Sequence, residues 1–198
     1  HGGRYLEGFN PVTGQAISRV ARGDGSDVDS AVRAARIALP GWRGLRPSAR
    51  GRILTEIARM IRRRLDDFVA IERLETGKSL VLARMEMEVT AQYFEFYGGL
   101  VNANQGNTVD LGEGYHSYTR REPFGVVGAI LPWNAPLNQA GRACAPALAV
   151  GNTVVAKPSE ATSGSLLALA RFAVEECGLP PGVLNVVTGV GKEAGEAL

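Results

Sequence analysis

Three short apolar runs in the C-terminal part of the chain constrain the fold more than any other feature. They are "FGVVGAIL" (124–131), "TVVAK" (153–157) and "VLNVVT" (183–188). The first is apolar throughout, as expected of a parallel strand covered on both faces. Between the runs, residues 136–150 and 162–177 read as helices. Pro136 falls in the first turn of one, where no N–H is needed, and Gly151 sits just past its end. Gly178 and Pro180-Pro181 stop the other, and a further helix begins near Lys192. Strands that alternate with helices imply a parallel α/β sheet of the doubly wound kind, with right-handed crossovers.

The segment before this unit is mostly helical. "NPVTG" reads as a turn and "QAISRVA" as a short strand. A helix follows, with Ser26 as its cap, Asp29 three residues on, and Pro40-Gly41 as its stop. Ile53, Ile57, Ile61 and Leu65 then recur every four residues and share one helix face. Two more helices run over 66–75, ending at Gly77, and over 80–97, ending at Gly98-Gly99. In "RMIRRRLDD", Arg62 and Arg63 precede Asp66 and Asp67 by four residues, the spacing of a solvated, salt-bridged helix face. Residues 105–123 are polar with short β-prone runs and read as an exposed two-strand excursion. The expected division is therefore 1–104, 105–123 and 124–198.

Composition excludes several classes. The 198 residues are 45% hydrophobic, enough for a sizeable core, and the net charge of +2 gives no reason to expect nucleic acid. No apolar run approaches the roughly 20 residues that span a bilayer. The start, "HGGRYLEG", has no apolar signal core, and His1 is set aside as a remnant of cloning. Cys144 and Cys177 make neither a disulfide framework nor a metal pattern, and a reducing, cytoplasmic setting fits best.

In an open parallel sheet, ligands bind beyond the carboxyl ends of the strands. That rule selects "PWN", "KPSE" and "GVGKEAG" as one rim. Asn134 carries an amide that can donate to an oxygen gaining negative charge; it can equally cap the helix that follows. Trp133 is either a packed aromatic or part of that rim. Glu160 can accept hydrogen bonds from both hydroxyls of a nucleotide ribose, with Lys157 and Ser159 beside it; it can equally favour the N-terminus of the next helix. Gly189, Gly191 and Gly195 can admit a pyrophosphate to a helix N-terminus, or merely serve a turn and a tight contact. A phosphate-loop reading fails, because Val186 and Glu193 stand where that motif needs Gly and Ser or Thr. "ETGKSL" fails as well, with Glu72 in place of the first Gly. Cys144 and Cys177 lie on apolar helix faces and read as core residues. His116, the one internal His, has no partner at a catalytic or metal spacing.

Taken together, "REPFGVVGAILPWNAPL", "PALAVGNTVVAKPSEAT" and "GLPPGVLNVVTGVGKEAG" resemble the NAD(P)-dependent aldehyde dehydrogenases, in order and at that family's intervals. "NPVTGQAI" and "ETGKSL" resemble it too, so the likeness runs from about Gly8 onward. The resemblance implies an aldehyde-dehydrogenase variant of the doubly wound, Rossmann-like fold. It implies that Asn134 is the oxyanion-stabilising amide, and that Lys157, with Ser159 and Glu160, meets the adenosine ribose. Ile130, Leu131, Pro132 and Trp133 would line the cofactor cleft. Gly191 and Gly195 would lie where the helix nears the pyrophosphate. Residues 105–123 would be part of the oligomerisation strands of a homodimer or homotetramer. NAD is the implied cofactor, with NADP as the second candidate.

The family's nucleophilic Cys and general-base Glu fall downstream of "GVGKEAG", so neither Cys144 nor Cys177 matches them. The chain therefore resembles the N-terminal portion of such an enzyme, truncated before the catalytic domain. The implied reaction is thiolate attack on an aldehyde, hydride transfer to nicotinamide and hydrolysis of the resulting thioester. Two alternatives stay open: a truncated, non-catalytic dinucleotide binder, and a semialdehyde or coenzyme A-acylating relative. With three strands and a bare edge, the 198 residues alone are expected to aggregate.

Overall fold

Asn10 closes the first hairpin. In a computed structural model describing residues 2–198 (His1 lies outside them), its Oδ1 accepts from the Val12 and Thr13 N–H groups at 2.8 and 3.2 Å. The turn joins β1 (Tyr5–Phe9) to β2 (Ala16–Ala21) in an antiparallel pair. Only β2 is expected from the sequence; "YLEGF" is short and carries a Gly, which hides β1.

Helix α1 (Gly25–Gly44) corrects two expectations. Its cap is Asp24, which accepts from the Ser26 N–H at 3.0 Å, while Asp27 accepts from the Asp24 N–H at 3.1 Å. Asp24 has the extended backbone that a cap requires, whereas Ser26 and Asp29 already lie inside the helix. The helix also runs on through Pro40. An internal Pro costs about 3 kcal/mol. Trp42, two residues later, is wholly buried and donates its indole N–H to the Leu148 carbonyl at 3.2 Å. Burying roughly 200 Å² of indole at about 25 cal/mol/Å² contributes about 5 kcal/mol, so the anchor outweighs the break.

Helices α2 (Pro47–Arg63), α3 (Leu65–Thr76) and α4 (Leu80–Gly99) follow. Leu65 opens α3 rather than extending the α2 stripe. Gly77 ends α3 in the left-handed region at φ 71°. The anticipated pairs of Arg62 and Arg63 with Asp66 and Asp67 do not form. Arg62 binds Glu88 and Glu95 at 2.9 and 2.8 Å, Arg63 binds Glu56, Asp66 takes Arg84 and Asp67 takes Arg64. Arg64, between α2 and α3, leaves helical geometry, so the four-residue spacing no longer puts those side chains on one face. β3 (Thr108–Val109) and β4 (Ser117–Tyr118) pair antiparallel and stand exposed, as the two-strand excursion predicts.

The three apolar runs form β5 (Val126–Ile130), β6 (Thr153–Lys157) and β7 (Leu184–Val186), parallel and in that order. Helices α5 (Pro136–Ala149) and α6 (Gly164–Cys177) connect them, and a π-helical turn at Gly191–Gly195 stands where a helix from Lys192 is predicted. β6 is buried along its whole length. Val154 and Ala156 enter the main core with Leu137, Leu148 and Leu169, while Val155 packs with Val28, Ala35 and Val187 beneath α1. This period-two alternation sets the layers: α1, the sheet, α5 with α6, then α2 to α4. β5 departs from the expectation of two covered faces, since Gly128 and Ile130 are exposed and Phe124 is bare. It is an edge strand, and β6 takes the central place.

Candidate functional site

Register brings two of the predicted segments together. Ile130 pairs with Lys157, so the strands end level, and the Leu131 N–H donates to the Lys157 carbonyl at 3.0 Å. Thr162 Oγ1 then donates to the Trp133 carbonyl at 3.3 Å, tying the "KPSE" turn to "PWN". The Val187 N–H donates to the Ala156 carbonyl at 3.0 Å and carries the third segment to the same end of the sheet.

Along this rim the side chains stand out from the protein. Ile130 and Trp133 are 64% and 63% exposed, and Pro132 and Asn134 are exposed as well. Of residues 130–134, Leu131 alone points inward. The Asn134 amide has no hydrogen-bond partner among the described residues. It does not cap α5, whose cap position is Ala135 with no side-chain bond to the first turn. Lys157 is buried, and its ammonium donates to Glu160 Oε2 at 3.3 Å. Glu160 itself is exposed and makes no bond to the N-terminus of α6. Ser159 Oγ accepts from the Ala161 N–H, and the Ser159 carbonyl accepts from Ser163.

The glycines divide into two kinds. Gly189, at φ 150°, has no room for a side chain, because a Cβ would lie 2.7 Å from the Gly23 carbonyl oxygen. Gly191 and Gly195 face open space, with nothing within 4 Å of a Cβ. A tight internal contact therefore accounts for Gly189 alone. Gly191 and Gly195 thus leave the surface of the turn open, with the Gly195 N–H taken by the Val190 carbonyl at 3.4 Å. Beside it, Glu193 takes a two-pronged bond from Arg22, at 2.7 and 3.0 Å, which fixes the turn to the end of β2.

Beneath the rim lies a set of residues that rim-based sequence reasoning leaves out. Glu72 is fully buried. Its Oε1 accepts from the Leu137 N–H and from Ser165 Oγ, each at 2.9 Å, and its Oε2 accepts from Lys78 Nζ at 2.7 Å. Lys78 also bonds Glu86. Burial works against its charge, but the hydrogen bonds to Glu72 and Glu86 more than offset this and leave its pKa above the usual lysine value. One turn on, both carboxylate oxygens of Glu75 accept from the Gly164 N–H, at 3.0 and 3.1 Å. Burial pushes Glu75 up to about 7; the Gly164 bond opposes this, and the nearby charge of Glu72 adds to it. Glu72 and Glu75 thus hold the first turns of α5 and α6. A sequence signal for them exists: Phe68, Glu72 and Glu75 are spaced four and three apart, which puts both carboxylates on the buried face of α3.

Glu75, Trp133 and Glu160 also border a cleft of about 350 Å³ that separates the rim from β1. A larger cleft of about 610 Å³ lies between α2 and α4 and touches none of the predicted rim residues. It includes Cys177, whose thiol burial pushes up to about 11. Cys144 is fully buried and pushed up to about 12. Neither thiol is poised as a nucleophile at neutral pH. His116 sits on the exposed excursion against Tyr118, away from the rim.

Comparison with known proteins gives a consistent picture. The aldehyde dehydrogenase family profile matches residues 1–198. The mitochondrial aldehyde dehydrogenase of Sus scrofa is 42% identical over 193 residues, which cover 96% of this chain and 37% of that protein. The phenylacetaldehyde dehydrogenase of Pseudomonas fluorescens is 43% identical over 204 residues, covering 98% of this chain and 40% of that one. Among solved structures, the NAD+ complex of aldehyde dehydrogenase from Bacillus cereus superposes with a TM-score of 0.96 at 36% identity, covering 99% of this chain and 40% of that chain. The chain spans about 40% of the length of the relatives it matches.

Proposed function

The chain belongs to the aldehyde dehydrogenase family, and from that premise we propose that the full-length protein oxidises an aldehyde to a carboxylic acid with NAD as hydride acceptor. The observation that carries this reading is the free Asn134 amide at the end of β5, beside the exposed Glu160 carboxylate that Lys157 holds at 3.3 Å. The aldehyde carbon is attacked by a cysteine thiolate that the family resemblance puts downstream of residue 198. As the carbonyl oxygen gains negative charge, the Asn134 NH2 donates to it. NAD, when bound, supplies the hydride acceptor.

The remaining rim residues would hold that cofactor. Glu160 accepts from the adenosine ribose hydroxyls, with Lys157 behind it and Ser159 beside it. Ile130, Pro132 and Trp133, exposed at the end of β5, would lie against the cofactor, whereas Leu131 is turned into the core and would only support them; Gly191 and Gly195 would leave room for the pyrophosphate. A free ribose 2′-hydroxyl suits Glu160 better than a 2′-phosphate, whose charge the carboxylate repels, so NAD is preferred and NADP is the second candidate. The mostly helical residues 1–104 and residues 124–198 form the cofactor-binding part, and residues 105–123 belong to an oligomer interface. The exposed Val109, Leu111, Tyr115 and Tyr118 on that excursion support a homodimer or homotetramer. No helix among the described residues is long and apolar enough to cross a membrane. The two free buried cysteines suit a reducing compartment such as the cytoplasm.

The test is aldehyde-dependent reduction of NAD by the full-length protein, with and without coenzyme A. Turnover without coenzyme A is the expected result. An absolute requirement for coenzyme A would reassign the protein to the acylating branch. NAD binding with no turnover on any aldehyde would contradict catalysis.

A further inference from the structure

Asparagine is among the best N-cap residues, and an Asn two positions before Pro136 invites that use. In the structure α5 is capped from elsewhere. Ala135 offers no side-chain acceptor and Pro136 no N–H, so Leu137 carries the first backbone N–H of the helix. That N–H donates to Glu72, a residue 65 positions earlier in the chain. The same oxygen receives the Ser165 hydroxyl from the first turn of α6, and the other oxygen receives Lys78. The carboxylate is fully buried, so a single rotamer is fixed by three donors drawn from three parts of the fold.

We propose that Glu72 is the positioning residue for Asn134: by taking over the cap of α5 it leaves the Asn134 amide free and fixes where that amide stands. The inference rests on the oxyanion role proposed for Asn134. Glu72 touches neither substrate nor cofactor and acts through three intervening residues of backbone, Ala135 to Leu137, two of which are conformationally confined by Pro136. Lys78, held between Glu72 and Glu86, keeps the buried carboxylate aimed. A donor displaced by a fraction of an ångström loses much of its effect on a developing charge, which is why its support belongs to the catalytic geometry.

A double-mutant cycle in the full-length protein separates positioning from plain stability. Glu72→Gln keeps the shape of the side chain and weakens the acceptor for Leu137. It is expected to lower kcat per active site by roughly 10-fold while the KM for NAD stays within about twofold. In an Asn134→Ala background the same change is expected to cost nothing further within about twofold, because the amide it aims is gone. If Glu72→Gln folds poorly, Glu72→Asp retains the charge for Lys78 but falls short of Leu137, and the same pattern is expected of it. Equal losses in both backgrounds, or an unchanged kcat, would overturn the positioning role and leave the reading of Asn134 intact. An unchanged rate in Asn134→Ala alone would remove both.

Discussion

The rim at the carboxyl ends of β5 and β6 and the seam one layer beneath it are built on opposite terms. On the rim, Ile130, Trp133, Asn134 and Glu160 are exposed, and the Asn134 amide is unbonded. In the seam, Glu72, Glu75, Lys78 and Ser165 are buried or nearly so, and every polar group is engaged. The contrast shows how a rigid site can present unsatisfied groups. Hydrogen bonds that would otherwise be taken from the rim, above all the cap of α5, are supplied from α3 instead. Each charge-assisted bond of this kind contributes about 1.5–3 kcal/mol, so the seam can hold the rim in place without using the rim's own polar side chains.

If the rim carries chemistry and the seam carries geometry, substitutions should sort by readout. The largest effect falls on the rim. In the full-length protein, Asn134→Ala should lower kcat by roughly 10²-fold or more with little change in melting temperature; loss of stability at an unchanged rate would make Asn134 a structural residue. The seam should answer through stability and pH. Glu75 has a folded-state pKa raised from 4.5 to about 7. The folded protein therefore holds the proton longer than the unfolded chain, and Glu75 lowers stability progressively as pH rises from 4.5 to about 7. Glu75→Gln should remove that slope, roughly 3 kcal/mol in all. Denaturant midpoints measured across the window for both proteins check this, and parallel profiles would refute it.

Smaller effects divide the glycines. Gly189→Ala should destabilise by about 1–3 kcal/mol, since φ and the Gly23 carbonyl both oppose a side chain. Gly195→Ala should change stability by less than about 0.5 kcal/mol, since its Cβ meets nothing, yet weaken NAD several-fold. Thermal melts and NAD titrations of the two variants should thus disagree with each other; matching behaviour would erase the distinction between an internal and an open glycine.

The ends of the strands are legible in the sequence; of the seam only the buried face of α3 is, and its partners are not, for a physical reason. Continuous apolar runs closed by Gly and Pro mark parallel strands, and strand order alone puts "PWN" and "KPSE" at one end. What no local pattern reveals is that Glu72 meets Leu137 across 65 positions and Ser165 across 93. Local cues also misassigned the edges of α1. Pro40 is a valid stop signal until the buried Trp42 outweighs it, and Ser26 is a valid cap until Asp24 and Asp27 satisfy each other first. Asn134 and Glu160 each invite a role at a helix N-terminus, and both roles are filled in the fold by α3 carboxylates.

We propose that this rim is a dinucleotide site with Glu160 at the ribose. Calorimetric titration of the full-length protein with NAD and with NADP, for the native residue and for Glu160→Gln, tests it most directly. Glu160→Gln is expected to weaken NAD by about 10-fold, close to the lower end of what one hydrogen bond to a charged group contributes, and to weaken NADP much less. Equal losses for both cofactors, or no loss for either, would contradict it.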